Sequence, residues 1–124
     1  MAEFGERLTY TMQAAADLSA VQYHIMRRSA ALQTNIASEA VSTQNIGVLQ
    51  NKPAATGRAA TIAYAGLSKV VCGAAITDGG LITTNGSGRA AAAGSGDVVV
   101  GRALSTTASD GEVLTAVLYP PYVL

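Results

Sequence analysis

Aromatic residues are scarce in this chain: five tyrosines, one phenylalanine and no tryptophan among 124 residues. Aromatic side chains contribute the most burial per residue and alanine contributes little. A hydrophobic fraction of 49% that rests heavily on alanine therefore implies a thin core, and contact with another chain is an expected further source of stability. Excess charge is also missing, since eight basic and eight acidic residues cancel. That argues against a nucleic-acid or anionic-membrane partner, which calls for a basic surplus. No apolar run reaches the length of a membrane-spanning helix. Glu3 and Glu6 stand where a signal peptide would be basic and then apolar, so no export signal is expected. The expected compartment is a bacterial cytoplasm or a particle assembled there. A lone cysteine, Cys72, forms no internal disulfide. Length allows one core, and the expected organisation is a single domain: an arm at 1–7, a β body at 8–119 and a tail at 120–124.

Strand signals are what the sequence does supply. Thr61-Ile62-Ala63-Tyr64-Ala65 runs into Gly66 and is followed by Leu67-Ser68-Lys69-Val70-Val71. Leu81-Ile82-Thr83-Thr84 is closed by Asn85-Gly86, a strong short-range turn signal. Val98 to Val100 is bounded by glycines, and a last strand is predicted from Val113 to Tyr119, stopped by Pro120-Pro121. Short strands with glycine turns at this spacing predict an all-β sandwich or barrel. The first third is ambiguous. Leu8, Met12 and Ala15 or Ala16 are spaced for a helix over 6–20, but Leu8-Thr9-Tyr10-Thr11-Met12 is rich in β-formers. Val21-Gln22-Tyr23-His24-Ile25 alternates, and strands are predicted in both places.

Internal similarity supports that choice. Ile46-Gly47-Val48-Leu49 leads, ten residues after Gly47, to Gly57 and the strand around Thr61; Val100-Gly101-Arg102-Ala103 leads, ten residues after Gly101, to Gly111 and the strand around Thr115. Upstream, Leu18-Ser19-Ala20 before Tyr23 matches Ala74-Ala75-Ile76 before Leu81 only with gaps. Either the chain holds two copies of one β-unit, at 7–65 and 67–119, or the spacing reflects only that a glycine before a strand is common in any β-protein.

Chemistry is hard to find. His24 is the only histidine, and a scaffold hydrogen bond is its expected role rather than general-base work. Cys72 follows Val70-Val71 and reads as a small buried apolar residue. Asp78, Asp97 and Asp110 each adjoin a glycine, as turns require. No carboxylate spacing suggests a metal site, and no cofactor, metal or catalytic residue is expected. Gly86-Ser87-Gly88-Arg89 and Gly94-Ser95-Gly96-Asp97 lack the lysine and hydroxyl of a phosphate loop. Arg27-Arg28 is the only adjacent basic pair, without the aromatics a nucleic-acid face would interleave. The segment Tyr119-Pro120-Pro121-Tyr122-Val123-Leu124 reads either as the end of the last strand or as an apolar arm.

The stretch Gly57-Arg58-Ala59-Ala60-Thr61-Ile62-Ala63-Tyr64-Ala65-Gly66-Leu67-Ser68-Lys69-Val70-Val71 resembles the central segment of tailed-phage capsid decoration (cement) proteins. So do Ala74-Ala75-Ile76-Thr77-Asp78-Gly79-Gly80-Leu81-Ile82-Thr83, then Gly88-Arg89-Ala90, then Gly96-Asp97-Val98-Val99-Val100-Gly101-Arg102-Ala103-Leu104. Upstream, Asp17-Leu18-Ser19-Ala20-Val21-Gln22-Tyr23-His24 and Ile46-Gly47-Val48-Leu49-Gln50-Asn51-Lys52-Pro53-Ala54 are similar as well. The resemblance covers most of 8–118 and departs from the family at 34–44, which is polar and irregular. It implies a compact β-fold of β-tulip or jelly-roll-like kind, no catalytic residues and self-association as a dimer or trimer. It further implies attachment to the major capsid protein on the outer face of a virion, with neither nucleic acid nor membrane as partner.

Contact with the shell or a neighbouring copy is expected from Phe4 and Arg7 on the N-terminal arm, from Arg27 and Arg28, and from Tyr119 and Tyr122. Two other classes compete. One is a different virion β-module, in a tail or at head completion. The other is a lipoyl-like carrier, which needs a lysine at a hairpin tip; Lys52, the better of only two lysines, lacks the flanking acidic and apolar residues.

Overall fold

The computed structural model describes residues 7–124. The described residues form nine strands and no helix: β1 (Leu8–Ala14), β2 (Ile25–Ala30), β3 (Gln33–Ile36), β4 (Asn45–Leu49), β5 (Ala59–Val71), β6 (Leu81–Thr84), β7 (Ala90–Ala92), β8 (Val98–Ala103) and β9 (Val113–Val123). The all-β expectation holds, and between sandwich and barrel the answer is barrel. Strand order is β1-β3-β2-β4-β5-β9-β8-β6-β7, with β1 also paired to β5. That extra pairing closes β1, β3, β2, β4 and the first half of β5 into a five-stranded ring.

The second half of β5 plays the part of β1 in a second ring. It pairs with β9 from Val71↔Val113 to Leu67↔Val117, as β1 pairs with the first half of β5 from Gln13↔Ala59 to Thr9↔Ala63. Cys72 forms a parallel bridge to Ala90, in the place of the parallel Ala14↔Thr34 pair between β1 and β3. Met26↔Gly47 between β2 and β4 returns as Ile82↔Gly101 between β6 and β8. Backbone bonds follow suit: Tyr23 N–H donates to Leu49 O and Gly79 N–H to Ala103 O, each at 2.8 Å, and Gln50 N–H to Thr61 O matches Leu104 N–H to Thr115 O. The duplication read from the glycine spacing is therefore structural, and the 13-residue β5 is two strands fused through Gly66 (φ 98°).

The cores repeat as well. Ala14, Leu18, Met26, Leu49, Ala60 and Ile62 fill the first barrel. Their counterparts Cys72, Ile76, Ile82, Ala103, Leu114 and Ala116 fill the second, inside a larger cluster that crosses the seam to Ile25, Ala37, Val48 and Ala63 of the first unit. Alanine suits this interior because a ring of so few strands leaves little space within. Volumes trade between neighbouring positions: Ala60 then Ile62 on β5 become Leu114 then Ala116 on β9. Close strand approach fixes two glycines. A Cβ on Gly47 would collide with Ala63 O, and one on Gly101 with Val117 O, each partner lying 54 residues further along in the second unit.

Several sequence expectations need correction. Residues 21–24 are turns rather than strand, because Tyr23 takes φ 66° and breaks the extended run before β2 begins at Ile25. Structurally, Leu18 corresponds to Ile76 and Tyr23 to Gly79, so the upstream alignment was displaced by the turn. The polar stretch 34–44 opens within β3, where Thr34 is buried with its hydroxyl on Arg27 O at 2.8 Å. Pro120-Pro121 does not stop the last strand, which runs on to Val123. Although proline lacks an N–H, the flanking residues pair on, Val98↔Val123 and Val99↔Tyr122. The expected arm lies outside the described residues apart from Arg7.

Candidate functional site

The histidine and the cysteine are both held inside the scaffold. His24 is buried, as expected of a scaffold histidine, though in a turn and not in a strand. Its Nδ1 lies 3.2 Å from Gln22 O and its Nε2 3.4 Å from Arg89 Nε. A guanidinium only donates, so Nε2 accepts and the ring proton sits on Nδ1. Burial pushes the His24 pKa below its ordinary value; the Arg89 charge pushes the same way and the Gln22 carbonyl opposes it. Arg89 also meets Asp110 at 2.7 Å. Cys72 is buried in the second barrel, and burial raises its thiol pKa. Lys52 stands exposed in the connection 50–58 rather than at the tip of a tight hairpin. Lys69 places its ammonium 5.9 Å from the Tyr23 ring. Among the described residues no group of three His, Cys, Asp or Glu side chains could hold a metal.

The surface residues singled out from sequence do not form one patch. Phe4 lies outside the described residues. Arg7 is exposed at the junction of the two units, its Nε donating to Leu67 O at 2.6 Å. Arg27 and Arg28 are successive on β2 and point to opposite sides. Arg27 is half-buried with Nε on Ile36 O, while Arg28 is exposed and reaches Gln44 Oε1 at 3.5 Å. Tyr119 accepts a 3.2 Å hydrogen bond from Arg102 Nε, and Arg102 in turn holds Gly79 O. Those two side chains tie β9 to the β5–β6 connection of the second barrel.

Tyr122 has different company. It lines a cleft of about 280 Å³ with Tyr10, Tyr64, Pro121, Val123, Ile46, Val98, Thr43 and Asn45. Pairing builds the cleft. Tyr10 is the cross-strand partner of the core residue Ile62, and Tyr64 lies two residues beyond Ile62 on the same face of β5. The two rings therefore continue the barrel-interior line toward the barrel mouth, stacked with centroids 5.0 Å apart and planes at 19°. The Tyr10 hydroxyl donates to Ile46 O at 3.1 Å, and burial, then the neighbouring Tyr64, raises its pKa. Asn45 forms part of the polar wall, with Nδ2 on Glu39 O at 2.8 Å. Across the cleft, the end of β9 supplies Pro121, Tyr122 and Val123.

In the second unit the positions of Tyr10 and Tyr64 are Ser68 and Leu118, both buried. The tyrosine stack therefore belongs to one barrel only, and it leaves Tyr10 and Tyr122 36% and 41% exposed. Sequence reasoning found Tyr122 but not Tyr10 or Tyr64. Each sits in an alternating strand, and only the antiparallel register shows that they meet. Three of the chain's five tyrosines line this one cleft.

The fold is similar to that of a solved structure, the head fiber gp8.5 N base of bacteriophage phi29. The TM-score is 0.66 at 18% sequence identity, covering 91% of this chain and 94% of that one. At that identity the likeness is one of fold. No family model matches the chain, and no curated protein does.

Proposed function

We propose that this chain is a non-enzymatic structural component of a phage virion, bound to the outer surface of the capsid and stabilising it by bridging subunits of the major capsid protein. The observation that carries this reading is the likeness, over nearly the whole of both chains, to the base of a phage head fiber. The resemblance of the sequence to capsid decoration proteins points the same way without depending on it. The supporting physics is a charge-neutral double barrel whose histidine and cysteine are both buried in the scaffold. Many identical copies on a lattice need only modest affinity each, because neighbouring contacts raise the effective concentration.

The contact face in this reading is the tyrosine cleft, with the shell protein as its occupant and a homo-oligomer, dimer or trimer, as the bound form. Half-exposed aromatics around a recess are the residues that dominate interfaces. The test adds purified protein to undecorated particles and measures occupancy and heat resistance. Tyr10→Ala with Tyr122→Ala is expected to lower affinity by about tenfold or more, with the free protein still folded but melting below the parent because Tyr10 loses its stack and its bond to Ile46 O. Particles that neither take up the parent protein nor gain heat resistance from it would overturn the function. Full binding by the double variant would move the contact face elsewhere, with Arg7 and Arg28 next.

A further inference from the structure

We propose that His24, Arg89 and Asp110 form a pH-sensitive latch across the seam between the two barrels, closed while His24 is neutral and released when it takes up a proton. His24 stands in the turn that enters β2 of the first barrel. Arg89 belongs to the β6–β7 turn and Asp110 to the β8–β9 connection, both of the second. The chain of contacts runs from Gln22 O to the His24 ring at 3.2 Å, from the ring to Arg89 at 3.4 Å, and from Arg89 to Asp110 at 2.7 Å.

This arrangement favours a neutral ring. With its Nδ1 proton directed at Gln22 O, the ring's free lone pair on Nε2 receives the Arg89 N–H. An added proton has nowhere to go but Nε2. There it removes the acceptor and sets two cations face to face, while Arg89 keeps Asp110 as its partner. The other charged groups around the turn offer no relief. Lys69 of β5, over the adjacent Tyr23 ring, is a further cation. The Glu112 carboxylate is occupied by the amides of Ala108 and Ser109 at 2.6 and 2.8 Å.

The turn is also where the barrels are joined through backbone. Ile25 N–H donates to Gly88 O at 2.6 Å and Val71 N–H to Tyr23 O at 3.0 Å, on either side of His24. In the second unit the residue corresponding to His24 is Gly80, so the latch is not a by-product of the duplicated fold. Protons favour the unlatched form: the seam contribution is complete above the ordinary histidine value and is lost as pH falls through the depressed folded one.

The experiment is amide hydrogen exchange on the whole chain at about pH 7.5 and about pH 5, conditions that bracket histidine titration, with rates corrected for intrinsic chemistry. Expected is a loss of protection at Ile25 and Val71 at the lower pH relative to core amides such as Val48, and no such loss in His24→Gln, which can still accept from Arg89. As a check that does not depend on that variant folding, the single imidazole signal should titrate at a higher pH in Arg89→Gln than in the parent. Protection at Ile25 and Val71 that does not change as His24 titrates would overturn the latch. So would a His24→Gln protein that keeps the parent's pH dependence, or an imidazole titration indifferent to Arg89.

Discussion

Gly47→Ala offers a quantitative test of the paired architecture, because the chain contains its own controls. Gly47 combines two demands: φ is 154°, and a Cβ would run into the carbonyl of Ala63 on the neighbouring strand, with Ile62 Cγ2 also in the way. Gly57 makes only the first demand, since at φ 88° nothing lies within 4 Å of an added Cβ. Gly101 makes only the second, against Val117 O and Leu118. Forcing an L side chain into a positive-φ conformation costs roughly 1–2 kcal/mol, and over-packing a fixed backbone roughly 1–3 kcal/mol.

Gly57→Ala should therefore cost about 1–2 kcal/mol, Gly101→Ala about 1–3 and Gly47→Ala about 2–5. For a chain of this length each kcal/mol moves Tm by about 4 °C. Thermal melts should then drop by about 4–8 °C, 4–12 °C and 8–20 °C respectively, with guanidinium titration giving the same order. The strand pairs β4–β5 and β8–β9 are equivalent in this reasoning. A Gly47→Ala protein that melts no lower than Gly57→Ala would refute it, since the close approach of β4 to β5 would then carry no cost.

Two further outcomes follow from single residues. Leu32, 73% exposed at φ 56°, occupies the place that Gly88 takes in the second unit at φ 76°; Leu32→Gly should leave stability unchanged or raise it by up to ~1 kcal/mol, whereas Leu32→Ala keeps the strain, and a chemical denaturation series separates them. Cys72 is buried with its thiol pKa raised, so a thiol reagent at neutral pH should label it only as fast as the chain opens; rapid labelling of the native protein would contradict its place inside the barrel.

The sequence revealed the fold class and the repeat because both are written in backbone-determining residues. Gly47, Gly57, Gly101 and Gly111 recur at equal spacing because the same close approach and the same turn occur in each unit. Asn85-Gly86 marks a real turn, and Cys72 is as apolar in its surroundings as its neighbours suggested. Where the reading failed, side chains and backbone gave opposite signals. Tyr23 and Leu32 sit at positive φ, where the second unit has Gly79 and Gly88, so two turns of the first unit carry no glycine to announce them. The prolines at 120 and 121 suggested an end to pairing, yet β9 continues beside β8. The cleft was legible only in part. Tyr122 drew notice beside two prolines, but Tyr10 and Tyr64 are 54 residues apart and meet through register, which no local pattern encodes.

The fused strand has a consequence for how such a molecule fails. Each barrel has β5 as one of its staves, and the larger buried cluster draws on both units. Neither ring can come apart without stripping a wall and a packed face from the other. Unfolding should therefore be all-or-none, with no long-lived half-folded species. On a lattice of many copies, such as the proposed function calls for, damage would become a matter of counting: each copy wholly present or wholly lost, with vacancies rather than weakened members.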